Sequence, residues 1–195
     1  MLWLVAMAGA LWVFLPTYVA NGTAPFSLGK GPRMDLGATW KADGRPLLGK
    51  SKTWAGFFIG GTVGLLAGLL EEYLLLLAPP SLQLVPLFAG SLVASILPVA
   101  LLSYGALAGD ALGSFVKRRL GTDSGGRSPL LDQLPFLLLP MALIGIAAPS
   151  LFVAAIWPNV PEGVLIVSWV LVLSLFLHAG FNLVGFYVGL KKVPW

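Results

Sequence analysis

Cysteine is absent from this chain of 195 residues, and with it go disulfides, thiolate metal sites and nucleophilic thiol chemistry. Charge is scarce too: Asp, Glu, Lys and Arg make up 10% of the residues, against roughly 25% in soluble domains. Apolar residues reach 57%, where about 45–50% is usual. Together these departures exclude an ordinary soluble domain and point to an integral membrane protein. At this length the expectation is one bundled unit over residues 1–195. A net charge of +4 is too small to indicate a nucleic-acid partner, and its placement is more informative than its size.

That placement is uneven. Residues 1–29 carry no charge, whereas Lys30 to Lys52 hold Lys30, Arg33, Asp35, Lys41, Asp43, Arg45, Lys50 and Lys52. Glu71 and Glu72 follow, then a charge-free run from Tyr73 to Gly109. Asp110, Lys117, Arg118, Arg119, Asp123, Arg127 and Asp132 crowd the next stretch, and Lys191 and Lys192 lie near the C-terminus. A bilayer crossing needs about 20 mostly apolar residues. The runs therefore divide into five transmembrane helices of an all-α protein: Leu2 to Ala20, Trp54 to Ala78, Leu84 to Leu107, Leu134 to Ile156 and Val164 to Leu190. Proline-marked turns at Pro79-Pro80-Ser81 and Trp157 to Pro161 fit connections between antiparallel neighbours. Alternating the segments puts all 12 Lys and Arg on one side, which the positive-inside rule makes cytoplasmic. The expected topology has the N-terminus outside, the C-terminus inside and two long cytoplasmic loops, about 21–53 and 109–133. The first segment lacks the basic n-region of a signal peptide, so a retained helix is expected.

Gly56, Gly60, Gly64 and Gly68 recur every four residues along one helical face. Small residues at this spacing let backbones approach closely in lipid, and plain packing explains this row. Gly105, Gly109 and Gly113 repeat the pattern in company, because Asp110, Ser114, Lys117 and Arg118 run beside them at i, i+4, i+7 and i+8. If that helix extends past the membrane surface, one face carries an acid, a hydroxyl and two cations.

Long ordered loops are usually functional. These two would gather ten basic residues and five carboxylates on one membrane face, with Gly44, Gly49, Gly121, Gly125 and Gly126 among them. Glycines let main-chain N–H groups approach phosphate, and basic side chains offset its charge. Asp110 and Asp132 stand at the ends of consecutive apolar segments. A few carboxylates together with phosphate oxygens is the usual way to hold Mg²⁺. Each basic cluster alone would serve for topology or for attraction to anionic lipid, but neither purpose requires those acids or glycines.

The stretch Asp43 to Trp54 (DGRPLLGKSKTW) resembles a cytoplasmic signature of archaeal CDP-archaeol synthases. Gly109-Asp110, Ser114-Phe115, Lys117-Arg118-Arg119 and Asp132 to Phe136 (DQLPF) resemble a second. More loosely, the chain is similar to the phosphatidate cytidylyltransferases, from which it departs at Gln133, where they have Arg, and in its longer gap from Gly126 to Asp132. The resemblance implies a cytidylyltransferase that joins CTP to an isoprenoid ether-lipid phosphate, 2,3-di-O-geranylgeranylglycerol 1-phosphate, and releases pyrophosphate with Mg²⁺. A phosphomonoester with a second pKa near 6 is mostly ionised at neutral pH. No general base is then needed, in keeping with a single histidine. On this reading Asp110 and Asp132 hold Mg²⁺. Lys117, Arg118, Arg119 and Lys52 meet the phosphates, with Ser114, Thr53, Gly125 and Gly126 as further contacts.

His178 and Asn182 lie at i, i+4 in the fifth segment, where a hydrogen-bonded pair joining helices is as good an account as a functional one. Glu71 and Glu72 are expected near the outer surface as an external carboxylate pair. The rival class is a small transporter or channel, which would carry more polar groups at mid-membrane and broken helices in matching halves.

Overall fold

The computed structural model describes residues 2–80, 83, 87–123, 126 and 128–189, with the backbone alone at 2, 129, 178, 181 and 182. Gly125, Lys191, Lys192 and the side chains of His178 and Asn182, all singled out in the sequence, lie outside the described residues. The described residues form helices α1 (Leu2–Thr23), α2 (Trp54–Leu77), α3 (Leu92–Arg119), α4 (Pro129–Gln133), α5 (Pro135–Ala147), α6 (Pro149–Ala155) and α7 (Val160–Tyr187), and a 3-10 turn, Ala24–Ser27, follows α1. Extended pairing among them is confined to the isolated bridges Arg33 with Thr53 and Thr39 with Pro46.

Among the described residues, four helices are long and apolar enough to cross a membrane: Trp3–Ser27, Trp54–Leu77, Leu92–Arg119 and Val160–Leu177. The fourth expected segment, Leu134 to Ile156, is not one helix. It breaks at Ala148, whose φ of −139° and ψ of 61° leave the helical region. Pro149 follows, and proline disfavours the helical conformation in the residue before it. α5 alone is only 13 residues, about 20 Å at 1.5 Å per residue. The third segment also differs at both ends from its expected span of 84 to 107. Gly90 adopts a positive φ of 75°, and Ser91 then starts α3 by accepting a hydrogen bond from the Ala94 N–H at 3.3 Å. At its other end α3 runs on to Arg119, so the first part of the expected 109–133 loop is helical.

Both glycine rows are close-approach surfaces. A Cβ on Gly60 would lie 2.5 Å from the Ala20 carbonyl oxygen, and one on Gly64 would lie 2.7 Å from that of Pro16. These contacts seat α2 antiparallel on α1. On α3, a Cβ on Gly109 would meet the Pro135 carbonyl oxygen at 2.1 Å, and one on Gly113 the Leu131 oxygen at 2.4 Å. The second row therefore draws α4 and the start of α5 against α3. Phe14, Val99, Leu102, Phe136, Ile144 and Val170 form part of the shared core, and α7 joins α1 through Tyr18 and Ser174, whose hydroxyls are 2.6 Å apart.

Glu71 and Glu72 correct the sequence reading, being 5% and 0% exposed. The Glu72 carboxylate accepts from the N–H groups of Phe88 (2.9 Å), Ala89 (3.3 Å) and Gly90 (2.8 Å) and from the Ser95 hydroxyl (2.8 Å). It is buried because it collects the unpaired donors where the chain enters α3. Neither oxygen of Glu71 has a hydrogen-bond partner.

Candidate active site

The last two and a half turns of α3 carry the site. Asp110, Ser114, Lys117 and Arg118 share one face, and Ser114, Lys117 and Arg118 are 5%, 9% and 5% exposed. Cations in the final turn also meet the negative end of the helix dipole. Asp110 is ion-paired to Lys52, which reaches it from the segment before α2. Lys117 is ion-paired to Asp132 of α4, and the Ser128 N–H donates to the second Asp132 oxygen at 3.0 Å. Close packing at Gly109 and Gly113 makes this geometry possible, because a side chain at either would push α4 and α5 away.

The Nε and Nη1 of Arg118, like those of Arg119, are buried without a hydrogen-bond partner, although a buried polar group left unpaired costs about 1–3 kcal/mol, and a charged one more. Beside Lys117, such unmet donors are suited to an anion. The side-chain oxygen Oε1 of Gln133, next to Asp132, is likewise buried and unpaired.

Residues 32–54 form a hairpin-like loop without regular strands. Met34 N–H donates to the Lys52 carbonyl (2.9 Å), Trp54 N–H to that of Pro32 (3.0 Å), Leu47 N–H to that of Ala38 (3.0 Å) and Trp40 N–H to that of Arg45 (2.8 Å). Asp35 cross-braces it, accepting from the N–H groups of Gly37 (2.9 Å), Leu48 (3.0 Å) and Gly49 (3.3 Å). Burial alone would raise the Asp35 pKa, but these N–H groups and the charge of Arg33 outweigh it and hold the carboxyl below its ordinary value. Thr53 closes the loop as the N-cap of α2, accepting from the Gly56 N–H at 3.2 Å.

Arg119 sits apart from Lys117 and Arg118 in its contacts. Its Nη2 donates to the carbonyls of Pro46 (2.6 Å) and Arg45 (3.2 Å). Its Nη1 is 3.4 Å from Asp43 Oδ1, and its guanidinium stacks near Trp40 and Phe115. Sequence reasoning missed these partners, as it missed the brace at Asp35. The Asp-x-Gly spacing of Asp35 and Gly37 was the one available signal, since Asp readily bonds the main chain two residues on. Gly126 sits in a turn, donating to the Asp123 carbonyl at 2.8 Å.

A family model described as CarS-like, CDP-archaeol synthase, matches residues 1–195. The chain belongs to this family of CDP-archaeol synthases. It is 39% identical over 192 residues to the CDP-archaeol synthase of Thermococcus gammatolerans, covering 98% of each chain. It is also 39% identical to that of Methanosphaerula palustris, covering 93% of this chain and 99% of the relative. A solved structure of an intramembrane enzyme for archaeal membrane lipid biosynthesis superposes with a TM-score of 0.65 at 33% identity, covering 89% of this chain and 92% of that one. As a CDP-archaeol synthase family member, the chain is a cytidylyltransferase of archaeal lipid biosynthesis with several apolar helices suited to a membrane. None of these relatives is a transporter or channel, and that alternative is dropped.

For a divalent ion the donor set fits one chemistry. Among the described residues no group of three or more His, Cys, Asp or Glu side chains converges, so a closed protein cage is not built. Asp110 and Asp132, each ion-paired to a lysine, are carboxylates of the kind that hold Mg²⁺ where substrate phosphates and water complete its shell.

Proposed function

We propose that the chain transfers a cytidylyl group from CTP to 2,3-di-O-geranylgeranylglycerol 1-phosphate, forming the CDP-lipid and pyrophosphate. One observation carries this reading: one face of α3 presents Asp110 paired to Lys52, Lys117 paired to Asp132 of α4, and Arg118 with Nε and Nη1 buried and unpaired. Such a face suits a polyanionic substrate. An oxygen of the lipid phosphate attacks the α-phosphorus of CTP, and the bond to the bridging pyrophosphate oxygen breaks. The attacking group is already ionised near neutral pH, its second pKa being about 6, so catalysis reduces to alignment and charge neutralisation.

Lys117, Arg118 and Lys52 would take the phosphates, Asp110 and Asp132 would hold Mg²⁺, and Ser114 lies between Asp110 and Lys117 on α3. Bound there, Mg²⁺ would supply positive charge against the phosphate oxygens. We further infer five crossings, with α5 and α6 together making the fourth, the N-terminus outside and the site facing the cytoplasm, in keeping with the one-sided distribution of basic residues.

The test is pyrophosphate release by purified protein given each of the four nucleoside triphosphates with the lipid phosphate, with and without a chelator. Turnover is expected with CTP and divalent metal, and Asp110→Asn should lower it strongly in a folded protein. Equal turnover with chelator, or an unimpaired Asp110→Asn, overturns the metal assignment. A label placed at Gly121 to Gly126 should react only from the cytoplasmic side, and labelling from outside overturns the topology.

A further inference from the structure

Arg119 belongs to the basic run beside the site, yet its contacts go elsewhere. The 32–54 loop lies along α3 and is pinned at two levels. At its base Lys52 pairs with Asp110. At its tip Arg119 donates to two consecutive carbonyls, of Arg45 and Pro46. In return, Arg45 Nη1 donates to the Arg118 carbonyl at 3.2 Å. Asp110 and Arg119 are nine residues apart on one helix, about 13 Å along its axis.

The tip contact is built from several parts. The Arg119 guanidinium carbon is 5.7 Å from the centre of the Trp40 ring and 5.1 Å from that of Phe115, and those rings meet edge to face at 5.5 Å. A Cβ on Gly121 would come 2.8 Å from Arg45 Nη1. The positive φ of 83° at Gly121 thus turns the chain out of α3 without obstructing Arg45. Each contact ties the loop tip to the helix end, and none leads to Asp110, Asp132 or Lys117.

The geometry points to Arg119 as a positioning residue: it clasps the loop tip to α3, and so holds Lys52 at the other end of the loop in place for substrate phosphate. The activity part of this inference rests on the function proposed above. Ordering a loose loop would burden substrate binding, while a bound complex would regain the same reacting geometry. The clasp also requires a planar fork that reaches two carbonyls and stacks on rings, which an ammonium lacks.

The test uses the full chain in detergent with Arg119→Met, Arg119→Lys, Trp40→Ala and the Trp40→Ala/Arg119→Met double variant. The first readout is the rate of tryptic cleavage after Lys41, at the loop tip. The second is the division of the kinetic effect between KM for CTP and kcat. Arg119→Met and Arg119→Lys should both speed cleavage and raise KM about tenfold, the scale of a lost charge-assisted hydrogen bond. Both should leave kcat within about threefold of wild type, as expected when only uniform binding is lost. The double variant should be no worse than Arg119→Met, because the two side chains serve one contact. Wild-type behaviour of Arg119→Lys in both readouts would make charge sufficient and overturn the clasp. So would a fall in kcat for Arg119→Met with Lys41 as protected as in wild type. Absence of CTP turnover in the wild type would refute the activity, while the cleavage readout would still decide the clasp.

Discussion

The Lys117–Asp132 pair allows a prediction in which the two partners are unequal. Lys117 is the more enclosed, its side chain 11% exposed against 25% for Asp132, and its neighbour Arg118 is a second buried cation. Asp132→Asn keeps the shape of the side chain and an acceptor for the Ser128 N–H, but it leaves two adjacent buried cations without that counter-charge. Breaking a buried pair in this way costs about 3–5 kcal/mol, and the part exposure of Asp132 brings the expectation down to about 2–3 kcal/mol. For a chain of this size that is a fall in Tm of roughly 5–10 °C. Lys117→Met should cost less, because Asp132 keeps its Ser128 bond and its access to water. The double variant should recover part of the Asp132→Asn loss, with a coupling of about 1–2 kcal/mol. Thermal unfolding in detergent, with chelator present so that no divalent ion replaces the missing charge, measures all three. Additive losses, or an Asp132→Asn protein as stable as wild type, would refute the reasoning. On the proposed function both single variants should lose at least about a hundredfold in turnover, Lys117→Met by removing a cation that would meet the phosphates and Asp132→Asn by removing a carboxylate that would hold Mg²⁺.

Other outcomes follow from the same contacts. Gly109→Ala places a methyl 2.1 Å from the Pro135 carbonyl oxygen. Tm and turnover should therefore fall together, and a silent substitution would mean that α3 and α5 do not need this approach. Glu72→Gln sets an amide NH₂ among donors that now meet a carboxylate. It should cost about 2–3 kcal/mol in thermal unfolding without changing KM for CTP, because Glu72 lies at the other end of α2 from Lys52. A changed KM would instead link the two ends. Asp35, whose folded pKa is lowered, stabilises the 32–54 loop fully above the unfolded carboxylate pKa. That contribution is lost only as pH falls through the folded value. Hydrogen exchange at Leu48 and Gly49 should thus stay slow until the pH is below the ordinary carboxylate range, and loss of protection near neutral pH would contradict the brace.

Much of this protein was legible without coordinates. Membrane character, the apolar runs and the clustering of basic charge depend on composition and on position along the chain, so they survive as linear signals. Asp110, Ser114, Lys117 and Arg118 could be placed on one face because helical periodicity is local. The motif resemblance added the reaction class, which periodicity alone does not carry. Tertiary structure decided what depended on contacts distant in sequence. Leu134 to Ile156 read as one apolar run, yet its helix breaks before Pro149. Glu72 read as an external acid, yet it is buried because the amides of Phe88 to Gly90 converge on it. Arg119 read like Lys117 and Arg118, since a run of basic residues shows their charge but not their direction. Only the fold set the carbonyls of Arg45 and Pro46 beside Arg119 and left Nε and Nη1 of Arg118 buried without a hydrogen-bond partner. The reason is that a guanidinium is assigned by the acceptors it meets, and here those acceptors lie more than seventy residues away along the chain.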